Sequence, residues 1–263
     1  MDHTDWEIPD YKTQIFKKTN HKYCVCIPVI NEGQRIKNEL RKMHELKIAQ
    51  VADIIICDGG STDGSLESTF LMDMDVYTLL IKTGPGKLSA QLRMGYSYAL
   101  LHGYKGIITI DGNGKDNPEA IFDFIKELQN GYDFIQGSRY CKGGKAINTP
   151  FMRTIAVKLL HIPVISALAR YPYSDTTNGY RGYSDKLLRS SKIAPFRAIF
   201  NTYELLAYLS VKAPREGFKT KEIPVTRRYP EKGKVPTKIS FIKGNSDILK
   251  ILFNLIFHKY DVN

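Results

Sequence analysis

The sequence predicts an α/β fold built on a mostly parallel central sheet with helices on both faces. Three observations carry that expectation: short apolar runs, helical segments alternating with them, and glycine-rich polar loops where the runs end. The first run, Tyr23 to Ile30, opens into Asn31-Glu32-Gly33 and a helix from about Gln34 to Glu45. Val51 to Cys57 is the second, stopping at Asp58-Gly59-Gly60-Ser61-Thr62-Asp63-Gly64. Val76 to Ile81 is the third. It leads through Gly84-Pro85-Gly86-Lys87 into a helix over Ser89 to His102. Gly106 to Ile110 is the fourth and closes on Asp111. Open α/β sheets place ligands beyond the carboxyl ends of their strands, where these loops fall.

Beyond Ala120 the pattern predicts a helix to Asn130 and strands over Tyr132 to Gly137, Thr177 to Tyr183 and Lys221 to Val225. Helices are expected over Phe151 to Ala169 and Thr202 to Lys212. Lys142 to Asn148, rich in glycine and lysine, reads as a mobile loop, and Arg227 to Lys238 as a basic one. The segment Asp247 to Tyr260 is apolar over most of its circumference, which suits a helix on the core, a membrane interface or a partner. The division expected is an extension over 1–21, one main domain over 22–240 and a terminal amphipathic helix over 241–263.

With 263 residues, 43% of them hydrophobic, the chain can bury a substantial core. Its formal charge of +11 suits nucleic acid, or phosphates and anionic headgroups; no nucleic-acid motif accompanies it. Cys24, Cys26, Cys57 and Cys141 fit no zinc spacing and read as core thiols of a reducing compartment. Met1 to Lys22 is polar, without the apolar centre of a signal peptide, and no uninterrupted apolar stretch reaches membrane-span length. A cytoplasmic protein, peripheral on the cytoplasmic membrane face, is the expectation.

Two acidic strand ends centre the functional reading. Asp58 and Asp111 can converge on one ligand, whereas Asp63, in Ser-Thr-Asp-Gly, equally suits turn chemistry. Lys87 after Gly84-Pro85-Gly86 at a helix start suits an anion, though not in the P-loop spacing.

The ordered motifs Ile27-Pro28-Val29-Ile30-Asn31-Glu32, Cys57-Asp58-Gly59-Gly60-Ser61, Gly86-Lys87-Leu88, Ile110-Asp111-Gly112-Asn113, Gly137-Ser138-Arg139-Tyr140, Asp175-Thr176-Thr177-Asn178-Gly179-Tyr180-Arg181 and Glu222-Ile223-Pro224-Val225 span about residues 22 to 240. This set resembles family-2 glycosyltransferases, in the dolichyl- or polyprenyl-phosphate mannosyl/glucosyltransferase branch. The resemblance implies a GT-A (Rossmann-like) three-layer sandwich and inverting sugar transfer. A nucleotide diphosphate-sugar is the implied donor, and a lipid phosphate or glycan the acceptor. It places Pro28, Asn31, Glu32 and Asp58 at the nucleotide with Lys87 nearby. Asp111 and Asn113 fall on Mg²⁺ or Mn²⁺, and Arg139 on phosphate or acceptor. Arg227, Arg228 and the stretch Lys232 to Lys238 become a basic closing loop. Should the acceptor be a hydroxyl, Asp175 or Glu204 would take its proton; Glu204 equally suits a surface charge.

Three departures from the family pattern stand out. Asn113 replaces a metal-binding aspartate and is a weaker ligand for a hard cation, with Asp116 close by to add charge. One carboxylate is lost from the Asp-Asp-Gly-Ser pattern. The closing loop reads Gly233-Lys234-Val235-Pro236-Thr237-Lys238. A nucleotide-sugar-binding protein without turnover and a sugar-phosphate nucleotidyltransferase are the alternative readings.

Overall fold

A computed structural model describes residues 5–18, 21–231 and 241–262. The strands, in chain order, are β1 (Tyr11–Ile15), β2 (Tyr23–Val29), β3 (Asp53–Asp58), β4 (Val76–Lys82), β5 (Gly106–Thr109), β6 (Phe134–Ser138), β7 (Lys145–Ile147), β8 (Arg181–Ser184), β9 (Thr220–Pro224) and β10 (Thr226–Arg228). The helices are α1 (Gln34–Glu45), α2 (Ser68–Asp73), α3 (Leu88–Leu101), α4 (Ile121–Gln129), α5 (Phe151–Ala156), α6 (Ile162–Ala169), α7 (Asp185–Leu188), α8 (Glu204–Arg215) and α9 (Phe241–Ile256).

Eight strands form one sheet in the order β1-β4-β3-β2-β5-β8-β6-β9. Strands β4, β3, β2 and β5 run parallel, as do β6 and β9, while β1 and β8 are antiparallel to their neighbours. The strand reversal at β8 lies beside β5, so the tip of β5 faces a break in the parallel run.

Two cores cover the two sheet faces, giving three layers. One gathers side chains of α3, α6, α8 and α9, the other those of α1, α2 and α4. Helix α3 is buried almost all round. Its Gly95 lies against the sheet, where a Cβ would meet Cys57 Sγ at 2.4 Å. Only glycine allows that approach.

Several segments differ from the sequence reading. Lys142 to Asn148 is not a free loop: its β7 pairs in parallel with β10, Arg227 opposite Ala146. Tyr11–Ile15, in the expected extension, adds an edge strand to β4. From Phe151 to Ala169 the chain is helical throughout, but a π-turn (Val157–His161) separates α5 from α6. Pro163 explains the irregularity, because its ring removes one donor and crowds the carbonyl four residues back. By length and composition this helix could cross a membrane, and only 11% of its most apolar window is buried.

Candidate active site

The parallel register sets Asp58 and Asp111 on the two sides of the β2 tip. Asp58 pairs with Val29 across one edge. On the other edge, Ile110 N–H donates to Cys26 O and Gly112 N–H to Pro28 O. With strands about 4.8 Å apart, the two acidic tips lie roughly 10 Å from each other.

The loops after β2 and β3 are laced together. Asn31 N–H donates to Ser61 Oγ, and Thr62 N–H to Asn31 Oδ1, at 2.9 and 2.7 Å. Asp58 accepts from Ser61 N–H and Oγ. Asp63 accepts from Gly33 N–H and from Ser65, so it clasps the turn. Pro28 is buried in β2, and Glu32 bonds Arg35 at 2.8 Å. Lys87 begins α3, its N–H donating to Asn201 O and its ammonium 5.9 Å from the Tyr203 ring centroid.

At the β5 tip the charges are paired. Arg227 Nη2 lies 3.0 Å from Asp111 Oδ2, and Nη1 bonds Asp116. The backbone explains the reach: Asn117 Oδ1 accepts from Thr226 N–H at 2.7 Å, and Arg228 N–H donates to Lys115 O at 2.8 Å. These bonds zip the loop after β5 onto β10. Burial would raise the Asp111 carboxyl, but Arg227 and Lys115 hold it below the usual range. Asp116 is pushed up to about 6, chiefly by burial, with Arg227 opposing and Asp111 adding repulsion. Burial first, then Arg227, brings Lys115 down to about 8.

The sequence pattern that defines Glycosyl transferase family 2 matches residues 24–192. The chain belongs to that family. This glycosyltransferase is 26% identical over 205 residues to the polyprenol monophosphomannose synthase of Mycolicibacterium smegmatis, covering 77% of this chain and 76% of that one. It is 24% identical over 210 residues to the undecaprenyl-phosphate mannosyltransferase of Micrococcus luteus, covering 76% and 81%. Among solved structures, glucosyl-3-phosphoglycerate synthase from Mycobacterium tuberculosis, in complex with Mn²⁺, UDP and phosphoglyceric acid, superposes with a TM-score of 0.60 at 16% identity, over 89% of this chain and 75% of that one. The fold is therefore GT-A, as the motifs implied.

Not every expected site residue of the glycosyltransferase reaches the acidic tips. Asp175 and Arg139 form a sealed bidentate pair, with Nε to Oδ2 at 2.6 Å and Nη2 to Oδ1 at 2.9 Å. Their side chains are 0% and 1% exposed. Asp175 also accepts from the N–H groups of Arg139 and Thr177. Burial opposes its ionisation, yet Arg139 holds the carboxyl below its ordinary value. A carboxylate so engaged is a poor proton acceptor. Glu204 ties its own loop, accepting from Asn201 and Thr202 N–H at 3.1 and 2.7 Å. It borders a cavity of about 490 Å³ shared with Lys250 and Tyr260 of the C-terminal region. Arg228 is exposed, and Lys232 to Lys238 lie outside the described residues.

The two residues expected to hold a cation, Asp111 and Asn113, lie against each other. Asn113 donates through Nδ2 to Asp111 Oδ2 at 3.3 Å and turns its Oδ1 back to Lys115 N–H. Asp111 Oδ1 is walled by Gly179, where a Cβ would stand 2.7 Å away. Asp116 is bound by Arg227 through Oδ2. Among the described residues, no three His, Cys, Asp or Glu side chains gather as a metal site. Asp111 is the carboxylate at this tip that could hold Mg²⁺ or Mn²⁺, beside the Asn113 amide.

Glu39 is a residue the sequence reading passed over. It lies on α1 in the stripe of Ile36, Leu40 and Met43, buried beneath Asp111 and Asp116 in electrostatic reach of both. Its Oε2 accepts from Gly114 N–H at 3.1 Å, and burial, then repulsion from Asp116, raises its pKa well above the usual range. An acid within an apolar helical stripe was the available signal.

Proposed function

We propose that this glycosyltransferase moves a hexose from a nucleoside diphosphate-sugar to a polyprenyl-type lipid phosphate, with inversion, at a membrane surface. The observation that carries this reading is the state of the carboxylates. Among the described residues, Asp175 is sealed against Arg139, Asp116 is held by Arg227, Glu204 is tied into its loop and Glu39 is buried under the sheet tip. A sugar hydroxyl needs a base to take its proton, whereas a phosphate is already an anionic nucleophile. The site suits the second acceptor.

In this mechanism a phosphate oxygen forms the new bond to the anomeric carbon. The bond from that carbon to the diphosphate oxygen breaks, and the nucleoside diphosphate leaves with the electron pair. A phosphate monoester becomes a diester, and no proton need be removed. Pro28, Asn31, Glu32 and Asp58 shape the nucleotide end, with Lys87 at the α3 start. Asp111, Arg227 and Lys115 lie at the diphosphate end, and Arg228 at the rim. The Arg139–Asp175 pair positions the segment from Asp175 to Gly179 against Asp111. Charge developing on the departing diphosphate is met by fixed cations.

The exposed apolar side chains support a lipid-borne acceptor. Phe151 and Leu159 are 75% and 76% exposed, and Met152 and Leu160 also face outward among Arg153 and Lys158. Helix α6 packs on α9, which exposes Leu249 and Phe253. Such surfaces with cations between them favour an anionic bilayer face, which supports a peripheral position on the cytoplasmic side of a membrane.

The test is a transfer assay pairing UDP- and GDP-hexoses with a short-chain polyprenyl phosphate, a free glycan and water. A lipid-linked hexose of inverted anomeric configuration is the expected product. Transfer to the glycan alone would overturn the acceptor assignment. Formation of a nucleotide sugar from a nucleoside triphosphate would overturn the reaction class.

A further inference from the structure

We propose that Gln91 of α3 is a positioning residue for the donor nucleotide, its side-chain amide holding the tips of β2 and β3 together in space that only a glycine at position 59 leaves free. The inference rests on the transferase reading and deepens its account of the nucleotide end.

Gln91 is 5% exposed. Its Nε2 donates to Val29 O and to Cys57 O, each at 2.9 Å. Those carbonyls belong to neighbouring strands, in a register that pairs Pro28 with Cys57 and Val29 with Asp58. Both hydrogens of one amide are thus spent where two parallel strands end. Gly59 N–H donates to the same Val29 O at 2.8 Å, so the chain leaving β3 and the Gln91 amide share one acceptor. A primary amide suits this place, because it offers two donors on one atom and buries no charge beside Asp58.

Gly59 shows how closely the two positions fit. A Cβ there would stand 2.8 Å from Gln91 Nε2 and 3.1 Å from its Cδ. Gly59 is not among the glycines of positive φ, so close approach alone bars a side chain. Position 59 is also where the Asp-Asp-Gly-Ser pattern loses a carboxylate. The Gln91 amide stands where that side chain would begin.

What the amide carries is the nucleotide end of the pocket. Asp58 directly follows Cys57, and Asn31 comes two residues after Val29. Ser61 joins them, its Oγ accepting from Asn31 N–H and donating to Asp58 Oδ1. The Asp111 tip is fastened to the other edge of β2, through Cys26 O and Pro28 O. Releasing the amide therefore disturbs Asp58 and Asn31 while the reacting end keeps its own bonds.

The experiment is calorimetric titration of the full chain with UDP, GDP and their hexose conjugates in Mn²⁺, beside transfer kinetics to a short-chain polyprenyl phosphate. Gln91→Met keeps the volume and donates nothing. It should weaken nucleotide binding and raise the donor KM by about tenfold, with kcat within about twofold of wild type. Gly59→Ala should weaken binding to a similar degree. Made in a Gln91→Ala background, the same change should cost less than about twofold, because the space is then open. An unchanged nucleotide Kd in Gln91→Met, or a fall in its kcat at constant donor KM, would overturn the inference and leave the transferase reading standing. Full affinity in Gly59→Ala would do the same, and that variant decides the point even if no Gln91 variant folds. Wild-type protein that binds none of the four ligands would overturn the transferase reading itself.

Discussion

Arg227 bridges two carboxylates of a single strand tip, donating through Nη2 to Asp111 Oδ2 at 3.0 Å and through Nη1 to Asp116. Asp111 and Asp116 leave the sheet together after β5, and Arg227 arrives more than a hundred residues later on β10. Their meeting closes the loop onto the β7–β10 ribbon.

Removing that guanidinium should therefore damage both stability and turnover. Arg227→Met strands a buried Asp116, a change of the kind that costs about 3–5 kcal/mol. Adding Asp116→Asn should restore most of the stability, as read by urea unfolding. Turnover should stay depressed by about a hundredfold in both variants, because the lost transition-state contact is not replaced. Full turnover in the double variant would remove Arg227 from the diphosphate site.

The strand tips were legible because a parallel, doubly covered sheet writes itself as apolar runs ending in polar loops. Asp58 and Asp111 followed from the ends of those runs. Pairings across distance were not legible. Arg139 and Asp175 lie 36 residues apart, and nothing in either local pattern says that each neutralises the other. Lys145–Ile147 reads as a loop by composition, since what makes it a strand is β10, far along the chain. Tyr11–Ile15 alternates poorly and is mostly exposed, so its edge position depends on the open side of β4. Glu39 was hidden for the opposite reason: its helix is plainly amphipathic, and a single acid on the buried side is easily absorbed into that pattern.

Asp175→Asn tests brace against base. It leaves Arg139 buried without its counter-charge, so the melting temperature should fall and turnover should drop at every pH alike. A general base would instead change the acidic limb of the pH profile of kcat/KM. The expected profile keeps its shape at lower amplitude. Loss of the acidic limb in Asp175→Asn would return this residue to proton transfer.

The outward apolar side chains predict lipid binding. Phe151→Glu with Leu159→Glu should lower association with vesicles of phosphatidylcholine and phosphatidylglycerol by about tenfold or more, given ~1.5–3 kcal/mol for each buried large apolar side chain. Both positions are exposed, so the fold should persist. Phe253→Glu with Phe257→Glu probes the α9 side in the same assay. Flotation unchanged in both double variants would reject the membrane face.

His161 gives the fold an acid sensitivity with a definite sign. It ends the π-turn between α5 and α6, and its Nδ1 lies 2.7 Å from Thr176 Oγ1, next to the Asp175 brace. Burial, then the nearby Arg181, lowers its pKa to about 4, whereas the unfolded chain titrates near 6.5. Between those values the unfolded state binds more protons. The contribution to stability is therefore complete above about pH 6.5 and is lost as pH falls towards 4. Asp175, already held below the ordinary carboxylate value, loses its own contribution at lower pH, below about 3.9. The two windows separate in a thermal melt series. His161→Gln keeps a hydrogen-bonding group but does not titrate, so its melting temperature should fall less than that of the wild type between pH 7 and pH 4.5. Parallel curves for the two proteins would mean that the imidazole is protonated in the folded state and that the seam around Thr176 tolerates its charge.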